Sequence, residues 1–101
     1  MAANEAEIER DIQAAGKTGP RLTPADIDRV IVSVTYACPV PYFTVCVLTL
    51  KNGFHVTGES AAASPENYDE GIGKRIAYEN ARQKIWPLEG YLLRARLADL
   101  V

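Results

Sequence analysis

Asn52-Gly53 narrows the possible folds of this chain more than any other pair of residues. Asn-Gly between two runs of strand-forming residues is the strongest short-range hairpin signal, because both positions tolerate the positive φ of a tight turn. The flanking runs are YFTVCVLTL at residues 42–50 and a shorter one at residues 54–60. A two-residue turn pairs Lys51 with Phe54, Thr49 with Val56, and Val47 with Gly58. In that register Phe43, Val45, Val47, Phe54 and Val56 share one face. Cys46, Leu48, Leu50, His55 and Thr57 share the other. Both faces of the first run are largely apolar, so it is expected to be a central strand covered on both sides. One long helix covers one side. The N-terminal helix, the C-terminal helix or a second subunit is expected on the other.

Upstream, the apolar residues alternate. Val30, Val32, Val34 and Tyr36 fall on one side and Ile31, Ser33 and Thr35 on the other, which predicts a further strand. Cys38-Pro39-Val40-Pro41 is expected to form a loop, because a proline has no donor for a strand ladder. Thr23-Pro24-Ala25-Asp26 reads as a capping-box start followed by about one helical turn. Residues 4–15 read as a short helix with Ala6, Ile8, Ile12 and Ala15 as its apolar positions. Such a helix is marginal alone and must dock or fray. The GKTGP stretch after it is a linker by composition.

Downstream, Ser64-Pro65 supplies an N-cap and a first-turn proline for a long helix, with Glu66, Asp69 and Glu70 suiting the positive end of its dipole. Pro87 forces this helix to end or kink near Trp86. Tyr68, Ile72 and Ile76 form one apolar stripe; Gly73, Ala77, Ala81 and Ile85 form a second, in which small residues recur every fourth position. The small stripe admits another backbone or a flat ligand, and a helix wedged between the sheet and the last helix is the plainer reading. After Pro87 a second helix is expected, packed antiparallel or steeply crossed on the first. The predicted fold is α+β: a three-stranded antiparallel sheet with a long helix and a C-terminal helix packed on it, plus a short N-terminal helix. Residues 1–20 would be the N-terminal helix and linker, and residues 21–101 a single domain.

Several function classes are disfavoured. A net charge of −2 and a pI near 5.3 argue against bulk nucleic-acid binding, which needs a strong positive field. No apolar run is long enough to span a membrane, and no signal peptide is read at the N-terminus. Cys38 and Cys46 are the only cysteines and His55 the only histidine, so neither a zinc site within one subunit nor a cofactor is expected. Both thiols are expected to be reduced and partly buried. His55 lies in a strand without a recognisable nucleophile beside it, and Ser60 and Ser64 have no activating base, so no catalytic residue is assigned and no enzyme is expected. The GxG of EGIGK lies inside a helix and is not a phosphate loop.

One line of residues has binding chemistry. Arg75, Tyr78 and Arg82 recur along one helix flank and offer two guanidinium groups and a ring, suited to phosphate pairing and base stacking. Asn80 falls on neither apolar stripe and either hydrogen-bonds a ligand or faces water. A solvated face with ordinary surface arginines is the alternative.

The segments NGFHVTGES (residues 52–60), PENYDEGIG (65–73), AYENA (77–81) and WPLEGYLL (86–93) resemble a family of small tailed-phage proteins. The resemblance spans roughly residues 23–94 and carries no assigned function with it. The layout of a small antiparallel sheet followed by two helices is also similar to the phage anti-Thoeris sponge proteins. Those are oligomers, not enzymes, that sequester cyclic ADP-ribose-type signals, and some hold cyclic oligonucleotides. No ligand residue of theirs is carried over. What this second resemblance implies is a homo-oligomer in the host bacterial cytoplasm that sequesters a nucleotide-derived small molecule. Tyr68, Arg75, Tyr78, Asn80 and Arg82 suit such a ligand in type. A module that binds and inhibits a host protein is the alternative.

Overall fold

The computed structural model describes residues 4–100. Its elements in order are α1 (Glu5–Ala14), α2 (Pro24–Val30), β1 (Ile31–Val40), β2 (Phe43–Leu50), β3 (His55–Ala61), α3 (Glu70–Gln83) and α4 (Ile85–Leu97). The sheet is antiparallel with order β1-β2-β3, so the α+β class holds. The capping box is present: Thr23 Oγ1 accepts from the Asp26 N–H, and the Asp26 carboxylate accepts from the Thr23 N–H. It aims α2 so that Ile27 is wholly buried.

The hairpin closes differently from the two-residue expectation. The Leu50 N–H donates to the Phe54 carbonyl and the Gly53 N–H to the Leu50 carbonyl, both at 2.8 Å. The loop is therefore Lys51-Asn52-Gly53, with Gly53 at φ 89°, a conformation that favours glycine. Pairing shifts by one residue: Thr49 opposes His55, Leu48 opposes Val56, and Val47 opposes Thr57. A one-residue slip moves a strand's side chains to the opposite face. Val56 thus joins Cys46, Leu48 and Leu50 in the core, while His55 and Thr57 share the other face with Val45 and Val47.

That other face is open. Thr44, Cys46, Leu48 and Leu50 are buried beneath α3, whereas Phe43, Val45, Val47 and Thr49 are only half-buried. The expected second cover is not supplied by α1 or α4 among the described residues. The expected loop at Cys38–Pro41 is also corrected: β1 runs to Val40, with its pairing irregular between Ala37 and Val40, and the chain turns at Pro41-Tyr42. Pro39 is tolerated because β1 is an edge strand. Cys38 is exposed, not partly buried, and Cys46 is buried.

The long helix begins later than Ser64. Ser64 and Pro65 open only a 3₁₀ turn, Pro65–Asn67, and Tyr68 leaves it extended at φ −73°, ψ 130°. The N-cap of α3 is Asp69, whose carboxylate accepts from the Ile72 N–H at 2.9 Å. Tyr68 is therefore not in line with Ile72 and Ile76. The small stripe faces the molecule's own sheet: Gly73, Ala77, Ala81 and Ile85 are all buried. A Cβ on Gly58 would collide with the Ala77 carbonyl and the Ala81 nitrogen and sit 2.9 Å from Ala81 Cα. Helix and strand touch there backbone to backbone.

At the far end, the Pro87 ring opposes the carbonyl of Gln83, four residues back, and α3 stops. Lys84 keeps helical angles (φ −71°, ψ −19°) and α4 follows at once. The two helices thus form one long bent helix, not a crossed or antiparallel pair. Ile85 and Ala95 are buried in α4; Tyr91, Leu92 and Leu97 are exposed. No helix among the described residues is long and apolar enough to cross a membrane.

Candidate functional site

A groove of about 820 Å³ runs between the start of α1 and the flank of α3. Its size lies within the roughly 300–1,000 Å³ of small-molecule sites. Asn4, Glu5 and Ala6 form one wall. Ile72, Arg75, Ile76, Tyr78, Glu79, Asn80 and Arg82 form the other, and Asp28 of α2 closes one end. Four of the five residues singled out from sequence line it: Arg75, Tyr78 and Arg82 on one flank of α3, and Asn80 farther round the helix. Tyr68 lies outside, its ring set edge-on to Tyr42 at 5.6 Å.

The four differ in freedom. Arg75 is exposed and makes no ion pair among the described residues. Asn80 donates from Nδ2 to the Glu59 carbonyl at 2.9 Å, tying α3 to the edge strand β3. Tyr78 is half-buried against the core, and its hydroxyl accepts from Arg82 at 3.2 Å. Arg82 is only 6 % exposed. Its Nε donates to both Glu5 carboxylate oxygens, at 3.0 and 2.8 Å. One terminal nitrogen donates to Asp28 at 2.7 Å and the other to the Pro24 carbonyl at 3.0 Å. Burial disfavours its charge, but hydrogen bonds to Glu5, Asp28 and Tyr78 outweigh that and hold its pKa above the ordinary arginine value. Buried arginines of this kind are structural clamps as well as ligand groups.

Sequence reading missed Glu5 and Asp28. Trp86 donates its indole N–H to Glu5 at 3.2 Å, beside Arg82. Glu5 and Arg82 are 77 positions apart, and no local pattern links them. The one available signal was acidic spacing on α1, where Glu5 and Glu9 recur at i, i+4. Glu9 does pair, through two hydrogen bonds from Arg21 at 2.6 and 2.7 Å.

The described groove carries carboxylates at Glu5, Asp28 and Glu79 against guanidinium groups at Arg75 and Arg82. With Glu5 in place, the cations are outnumbered. The groove thus offers a free cation, a ring, an amide and a shielded guanidinium.

Comparison with models of protein families gives a match over residues 22–97 to a family described as "Phage protein (N4 Gp49/phage Sf6 gene 66) family". No curated protein and no solved structure matches significantly.

Proposed function

The chain belongs to the phage protein (N4 Gp49/phage Sf6 gene 66) family, and from that premise we propose that it is a non-catalytic binding protein that sequesters a cyclic nucleotide immune signal. The ligand is of the cyclic ADP-ribose type or a cyclic oligonucleotide, and its capture in the host cytoplasm counteracts bacterial anti-phage defence. The observation that supports this reading is the groove, lined by Arg75, Tyr78, Asn80 and Arg82 and of a size that suits such a ligand. Arg75 supplies the free phosphate-pairing cation and Tyr78 a ring. The protein works as a homo-oligomer, in which the open sheet face around Val45 and Val47 meets a second copy.

Native mass spectrometry of the protein with a panel of cyclic ADP-ribose isomers and cyclic di- and trinucleotides tests this. An oligomer retaining an unmodified nucleotide mass is the expected result. Loss of the Arg75 charge-assisted hydrogen bond in Arg75→Ala is expected to weaken binding about tenfold, with thermal stability unchanged because the side chain is exposed. Turnover of the nucleotide would replace the sponge by a hydrolase. A second reading, a module that binds and inhibits a host protein, is favoured by the same open sheet face. A stable host complex recovered without retained nucleotide would establish it instead.

A further inference from the structure

Helix α1 is attached in an unusual way. It buries none of its residues, and Ile8 on its apolar stripe is 46 % exposed. What holds it among the described residues is two carboxylates: Glu9 on Arg21, and Glu5 on Arg82 and Trp86. A helix tied by polar contacts and little apolar area has a low local opening cost. The Glu5 pocket, by contrast, is built from buried or half-buried groups. Arg82 Nε and the Trp86 indole N–H converge on one carboxylate at 2.8 and 3.2 Å. Two convergent N–H donors, one of them cationic, suit a phosphate oxygen as well as a carboxylate.

We propose that Arg82 Nε and the Trp86 indole N–H form the anion subsite of the groove, and that Glu5 fills it in the unliganded chain as a stand-in for a ligand phosphate. Resting on the nucleotide-binding reading above, this assigns Trp86 to the site and makes α1 its displaceable plug. It also accounts for the charge balance. With Glu5 seated, three carboxylates face two guanidinium groups, a poor field for an anion. With Glu5 displaced, Asp28 and Glu79 remain against Arg75 and Arg82. A phosphate arriving at Arg82 takes over the hydrogen bonds Glu5 gives up, so the guanidinium is never left buried without a partner.

The test compares full-length wild type, Glu5→Gln and the control Glu7→Gln, whose side chain is exposed and lies outside the groove lining. Cyclic ADP-ribose and cyclic di-AMP are titrated into each by calorimetry. Hydrogen exchange of residues 5–14 is followed in wild type with and without saturating ligand, a readout that depends on no variant. Expected are about tenfold tighter binding by Glu5→Gln, unchanged binding by Glu7→Gln, and loss of α1 protection when wild type is saturated. Equal or weaker binding by Glu5→Gln, or α1 protection that persists in the saturated wild type, overturns the subsite and leaves the groove reading standing. No binding by any of the three overturns both.

Discussion

At the residue scale, Gly58 shows how strictly one position can be constrained. Its missing side chain is the space into which the α3 backbone descends. Gly58→Ala forces the helix off the strand, and overpacking of that kind costs about 3 kcal/mol. Gly90→Ala is the control: its Cβ meets only Leu22 Cδ1 at 3.9 Å, and alanine in place of a helical glycine gains up to about 1 kcal/mol. Urea midpoints of the two variants should move in opposite directions. Glu9 provides a pH-dependent contact. Hydrogen bonds from Arg21, then Gln13, lower its pKa from 4.5 to about 2. Its contribution is therefore fully present above about pH 4.5 and is lost as pH falls towards 2. Amide protection in α1, taken relative to the intrinsic exchange rate at each pH, is expected to fall across that window in wild type, and Arg21→Gln should flatten the response. Constant protection from pH 5 to 2 would show that the pair does not hold the helix.

At the element scale, the start of α3 can be located by substitution. Asp69→Ala removes the cap hydrogen bond and should cost about 1 kcal/mol, whereas Ser64→Ala, whose side chain makes no cap bond, should cost almost nothing. The reverse order in thermal melts would move the helix start back to Ser64. This element also shows what the sequence made legible. Ser-Pro followed by acidic residues is a valid helix-start signal, but the same residues satisfy a 3₁₀ turn. The extended Tyr68 packed on Tyr42 selects the later start. Asn52-Gly53 announced the hairpin correctly and mis-set its register, because the pair serves both two-residue and three-residue loops. Only burial of Val56 with Leu48 decides between them. Elements read from local periodicity thus emerged from sequence, and so did the small-residue face of α3. Arg82 as a clamp did not, since its carboxylate partners Glu5 and Asp28 are distant in the chain.

At the scale of the whole molecule, the fold is a single sheet with helices on one side. Its Cα radius of gyration is 15.9 Å, against about 13 Å for a compact domain of 100 residues. The chain from Val30 to Leu50 contains no charged residue, although β1 is an open edge and β2 presents Val45 and Val47 outward. Uncharged open strands are surfaces that natural proteins cover. If that face carries the homo-oligomer proposed above, Val47→Glu is expected to give a monomer in sedimentation velocity while leaving the protomer folded. An unchanged sedimentation coefficient would exclude that face as the contact. The two cysteines add a clock to this architecture. Cys38 stands in solvent, so a thiol reagent consumes it at once. Cys46 lies under α3, and burial raises its pKa as well as shielding it. Its modification must await the lifting of the helix from the sheet. With excess reagent, the slow phase measures how often this two-layered molecule opens, and the fast phase counts the protein present.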